Sequence, residues 1–140
     1  MFVVGNGTLL DEMREMVRDK GYNIVFTGRV SDQELARLLR ESWVNLHFSV
    51  TEGWGYSVIE ACASGTPTVA FRVPGLVDVI QDGYNGYLVN NISEFPDRIL
   101  DIIGNLDRFS RASREFAERF TLDETARKWS QMLRGDGVPE

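Results

Sequence analysis

The chain has 140 residues, 43% of them hydrophobic and 26% charged, with a mean hydropathy of −0.20. That is material for one cored domain and too little for two. A net charge of −6, with the basic residues scattered, argues against nucleic acid or an anionic membrane face as the main partner. The lone cysteine, Cys62, excludes an internal disulfide and points to a reducing, cytoplasmic home, and no apolar run approaches the length of a membrane span.

Short β-branched or aromatic runs alternate with helical patterns along the chain, which predicts an α/β fold with a parallel sheet and flanking helices. Strands are expected over 2–4, 24–27, 44–48, 68–71 and 86–89. Between the first two, Leu9, Leu10, Met13, Met16 and Val17 recur at helical spacing, with Gly21 as the stop. Ser31-Asp-Gln-Glu34 reads as a capping box that opens a helix on Leu35, Leu38 and Leu39. A helix carrying Glu60 should end at Gly65-Thr66-Pro67, and a short one over 77–81 at Asp82-Gly83. Ile99, Ile102, Ile103 and Leu106 mark another helix, and Phe109, Ala112, Phe116 and Phe120 a further one. Thr121-Leu-Asp-Glu124 is a second capping box before a last helix on Ala126, Trp129 and Leu133. Gly5, Gly28, Gly53 and Gly75 all follow strands, where open α/β sheets bind their ligands.

The most informative stretch runs from Ser49 to Pro67 and holds two carboxylates, Glu52 and Glu60, with seven residues between them. Glu52 stands in a glycine-containing turn and Glu60 inside the helix that follows. Like charges repel, so the pair does not suit a pyrophosphate directly. The carboxylates do suit hydroxyl donors, and the backbone N–H groups from Trp54 to Val58 at a positive helix end suit an anion. A nucleoside-diphosphate sugar, with a sugar ring at each end and an anion between, has that layout. Each residue also has a plainer reading. Ser57-Val-Ile-Glu60 fits a capping box, Glu52 could be a solvated loop acid, and Trp54 and Tyr56 could simply pack. His47 reads as a satisfied core or rim histidine, Cys62 as a packed thiol, Arg72 as an exposed loop cation and Asp78 as a helix cap. The Gly5-Asn-Gly7 start lacks the third glycine of a dinucleotide fingerprint, since Leu10 stands there. No Asp-x-Asp, His-Glu-x-x-His or paired Cys-x-x-Cys occurs, so neither a metal nor a cofactor is expected.

From Phe2 to Val89 the chain resembles the carboxy-terminal, donor-binding domain of retaining glycosyltransferases of the two-Rossmann-domain (GT-B) architecture, in the large Glu-x7-Glu family. The matching pieces come in the family's order: Val3-Val-Gly-Asn-Gly7, Val25-Phe-Thr-Gly28-Arg29-Val-Ser, Ser49 to Pro67, Gly75-Leu-Val-Asp78, and Asp82-Gly83-Tyr-Asn-Gly86-Tyr-Leu-Val. The resemblance implies a role for each matched residue. Glu52, the catalytic-site acid, would accept hydrogen bonds from the donor sugar's hydroxyls, and Glu60 from the ribose. The amides of Gly53, Trp54, Gly55 and Tyr56 would hold the sugar and those of Ser57 and Val58 the terminal phosphate. Arg29 and Val30 would lie against the base. The nucleoside-diphosphate sugar would be a substrate, and no covalent nucleophile is required.

The departures from the family pattern imply a fragment. The family's first βα unit, with its diphosphate-neutralising arginine and lysine, is not matched. Nor is its amino-terminal acceptor domain, through which any peripheral membrane association would come. The expectation is therefore one Rossmann-like nucleotide-sugar-binding domain over residues 1–133 with a flexible tail over 134–140, inactive until an acceptor domain joins it in cis or in trans. The rival reading is a non-catalytic binding module or the partner subunit of a split enzyme. Without a central strand, either the Phe2 strand pairs with the Val44 strand or a second chain fills the gap, and self-association is favoured.

Overall fold

The computed structural model describes residues 1–134, and along them strand and helix alternate as the apolar runs do. By its internal contacts the chain divides into two units, Met1–Leu38 and the remainder from Leu39. In the first, β1 (Phe2–Val4) and β2 (Val25–Gly28) pair in parallel, with Phe2 opposite Val25 and Val3 opposite Phe26. The connecting α1 (Leu10–Lys20) stops at Gly21, as expected. Side chains alternate across a strand, so Phe2, Val4 and Val25 share one face of this ribbon. All three are exposed, and no residue of α1 is buried. Parallel strands are normally covered on both faces; this pair is not.

Helix α2 (Asp32–Glu41) opens at Ser31, whose Oγ accepts the N–H of Glu34 at 3.2 Å. The Glu34 carboxylate turns forward to Arg37, so the expected capping box forms only in its first half. The same happens at Thr121, whose Oγ1 accepts the Glu124 N–H while Glu124 pairs with Arg127. In both helices a charged donor three residues on outcompetes a single backbone N–H.

The second unit is built on β3 (Asn45–His47), β4 (Thr68–Phe71) and β5 (Gly86–Val89), parallel and in that order. Helix α3 (Tyr56–Ala63) joins β3 to β4, and α4 (Phe95–Gly104), α5 (Leu106–Ala117) and α6 (Leu122–Arg134) follow β5. Successive strand residues feed opposite layers. Ala70 and Leu88 join Val58, Cys62, Leu76, Val79, Ile80 and Phe116 in one buried cluster. Their neighbours Val69 and Val89 join Phe95, Ile102 and Phe109 in another. Here the sheet is covered on both faces, the Rossmann-like arrangement that near-continuous apolar strands require.

Three expectations change. The five strands make two sheets rather than one, and the Phe2 strand does not pair with the Val44 strand among the described residues. β1 pairs along one edge with β2, and β3 along one edge with β4. Residues 77–81 are not a helix: a run of turns ends at Val79, with the N–H groups of Val77 and Ile80 bonded to the Val73 and Leu76 carbonyls. The helix cannot propagate because the Gln81 N–H is captured by Asn85 Oδ1 at 2.7 Å, so Asp78 has no helix to cap. Finally, the tail expected from residue 134 starts inside α6, which includes Arg134; the rest of it lies outside the described residues.

Candidate functional site

The loop between β3 and α3 carries the acids, and two glycines shape it. Gly55 is the N-cap of α3 with φ 89°, a left-handed conformation that side-chain-bearing residues rarely adopt. A Cβ there would stand 2.9 Å from Val79 Cγ2 and 3.0 Å from Leu76 Cδ2. Gly75, with φ 84°, lies so close beneath the loop that a Cβ would stand 2.7 Å from the Glu52 carbonyl oxygen and 2.8 Å from that of Gly53. The loop backbone and the start of α3 are therefore seated on the buried turns around Leu76 and Val79.

At the first turn of α3, the Val58 and Ile59 N–H groups donate to the Gly55 carbonyl at 3.0 and 3.2 Å. The N–H groups of Trp54, Tyr56 and Ser57 have no acceptor among the described residues. Such unfilled donors, with the partial positive charge of a helix start, form an anion-accepting end. Of the amides assigned to a diphosphate, Ser57's is open and Val58's is engaged. Trp54 packs its ring edge-on against Tyr56 and Phe120, while Tyr56 is itself exposed.

Glu52 is half-buried and tied on both oxygens. His47 Nε2–H donates to Oε2 at 3.0 Å, and the Gly53 N–H donates to Oε1 at 3.1 Å. The His47 hydrogen bond holds the Glu52 carboxyl below its ordinary value of 4.5; partial burial opposes this, and the N–H groups of Gly53 and Gly55 reinforce it. Near neutral pH Glu52 is thus an anionic acceptor, with lone pairs left for hydroxyl donors. The sequence reading of His47 as a satisfied histidine holds, but it missed the partner. The only sequence signal was their five-residue separation across a strand end.

Glu60 lies one turn into α3, exposed and without a side-chain hydrogen bond or ion pair among the described residues. The capping-box alternative for it does not form, because Gly55 rather than Ser57 occupies the N-cap. Arg29 is exposed and Val30 half-buried just after β2, in the first unit. Arg72 is not an idle cation. Its guanidinium donates to Asp82 Oδ2 at 2.6 Å and to the Leu88 carbonyl, locking the turn before β5. Cys62 is buried, and burial raises its thiol to about 11, as suits a packing residue. Among the described residues, no group of three or more His, Cys, Asp or Glu side chains could hold a metal ion. No helix among the described residues is long and apolar enough to cross a membrane.

Comparisons with known proteins bear on the family and the fold. Residues 1–105 match the family model described as glycosyl transferases group 1. The chain is 30% identical to the poly(ribitol-phosphate) alpha-N-acetylglucosaminyltransferase of Staphylococcus aureus, over 94% of this chain and 28% of that protein. Its fold superposes on the pneumococcal O-GlcNAc transferase GtfA, solved with UDP and GlcNAc, with a TM-score of 0.79, at 27% identity and over 96% of this chain and 29% of that one. A GtfA/B complex superposes with a TM-score of 0.84 at 27% identity, over 96% of this chain and 29% of that one. The chain spans between 21% and 36% of the curated relatives it matches. The likeness fits the carboxy-terminal half of a GT-B enzyme, and the chain belongs to the glycosyl transferases group 1 family.

Proposed function

We propose that this chain is the donor-binding half of a retaining, metal-independent glycosyltransferase and binds a nucleoside-diphosphate sugar at the β3–α3 loop. The observation that carries the reading is the Tyr56 and Ser57 N–H donors at the start of α3, unfilled among the described residues and flanked by an anionic Glu52 and a Glu60 with no partner among those residues. The amides would take phosphate oxygens, Glu52 sugar hydroxyls and Glu60 ribose hydroxyls. Val58 would contribute through a shared hydrogen bond. Such a site works by holding the leaving diphosphate and aligning the sugar, which is electrostatic and positional catalysis. It does nothing without an acceptor-binding domain, so the chain alone should not turn over.

The test is a titration with uridine, guanosine and adenosine diphosphate sugars, followed by backbone amide shifts. Perturbations should centre on Gly53 to Glu60, and Glu52→Ala and Glu60→Ala should each weaken binding. Unchanged affinity in both variants refutes the assignment. The relative solved as a GtfA/B complex supports a second reading, in which the chain completes another subunit. Sugar transfer restored by mixing with a separately expressed acceptor domain separates the split enzyme from a bare binding module.

A further inference from the structure

We propose that His47 is a positioning residue of the donor site, its Nε2–H holding the Glu52 carboxylate in the one orientation that presents its free lone pairs to the hydroxyls of the bound sugar. This inference rests on the donor-site reading given above and adds a residue to it. Glu52 stands in a loop, between the end of β3 and the N-cap of α3, and a glutamate there has free side-chain torsions to lose on binding. His47 is the last residue of β3, hydrogen-bonded in register with β4 opposite Ala70. The side chains of both are largely shielded, 17% exposed for His47 and 26% for Glu52, with 3.0 Å between Nε2 and Oε2. The pair therefore ties a loop acid to the sheet.

The hydrogen-bond inventory makes the tie useful rather than obstructive. An ionised carboxylate offers about four lone-pair positions. His47 takes one on Oε2 and the Gly53 N–H takes one on Oε1, with the Gly55 N–H contributing more weakly, so lone-pair positions remain for a ligand. The two protein donors fix the plane of the carboxylate as well as its place. Binding then orders fewer torsions, which is how a supporting residue gains affinity without touching the ligand. A purely structural histidine would behave differently: its loss would change stability and every ligand alike. A positioning histidine acts on the sugar end alone, because the diphosphate is held by amides of α3.

The experiment uses the full 140-residue chain and the best-binding diphosphate sugar of the panel beside its bare nucleoside diphosphate. The quantity read is the ratio of their two affinities, for wild type, His47→Ala, His47→Gln and Glu52→Ala. His47→Ala should lower the ratio about tenfold, the size of one lost hydrogen bond to a charged acceptor, leaving the bare nucleotide unaffected. His47→Gln, whose amide nitrogen can reach the position of Nε2, should restore most of it. If Glu52→Ala lowers the ratio and His47→Ala does not, the positioning role is refuted while the donor site stands. If Glu52→Ala leaves the ratio unchanged, Glu52 does not read the sugar, and this inference fails with that assignment while Glu60 and the α3 amides are still tested by the titration. A ligand-free measurement stands beside these: the Glu52 carboxyl, followed by carbon NMR, should titrate below its ordinary range in wild type and within it in His47→Ala. No difference between the two refutes the tie.

Discussion

Replacing Gly55 by alanine tests how the start of α3 is built. At φ 89° a side-chain-bearing residue pays about 1–2 kcal/mol for the left-handed conformation. The new Cβ would press on Val79 and Leu76 at 2.9 and 3.0 Å, and both are fully buried. Overpacking of that kind adds about 1–3 kcal/mol. A smaller unfolded-state entropy returns about 0.4–1 kcal/mol of that. The net expectation is a loss of about 2–4 kcal/mol, read as a shifted midpoint at unchanged slope in urea unfolding. Gly53, two residues earlier, is the control: its φ is not left-handed, and a Cβ there meets no atom within 4 Å. Gly53→Ala should stay within about 0.5 kcal/mol of wild type. If both variants lose the same stability, or Gly55→Ala loses less than about 1 kcal/mol, the loop is not seated on Val79 and Leu76 as described. The Gly55 variant should also bind nucleotide more weakly, because the Tyr56 and Ser57 amides move with the cap.

Two further predictions concern the scaffold under the site. Asn85 is fully buried, donates to the Val79 carbonyl at 3.0 Å and to Cys62 Sγ at 3.6 Å, and accepts the Gln81 N–H at 2.7 Å. Asn85→Ala strands the part-buried Gln81 N–H and the buried Val79 carbonyl and should cost about 2–4 kcal/mol by chemical denaturation, and a loss under about 1 kcal/mol would contradict the network. Cys62, buried and with its thiol pushed up to about 11, should not react with an aromatic disulfide reagent at neutral pH until denaturant is added. Prompt reaction in the native protein would show that the α3 core opens freely.

Local chemistry along the chain determined where most strands and helices lie. The β4 and β5 runs, the α1 stop at Gly21 and the helix through Glu60 need only side-chain period and turn residues, so they are legible without neighbours. The family was legible for the same reason, because its matching pieces are short, local and ordered. Partnership across space was not. The Glu34 and Glu124 carboxylates fit capping boxes by spacing, yet each took an arginine three residues on, a competition decided by side-chain reach. The 77–81 run has helical composition, but a hydrogen bond from its own Gln81 N–H to the buried Asn85 ended it. The pairing of the strands into two sheets and the tie between His47 and Glu52 also belong to the tertiary structure. Period and propensity describe a residue's own backbone, whereas these depend on which groups packing brings within 3 Å or so of one another.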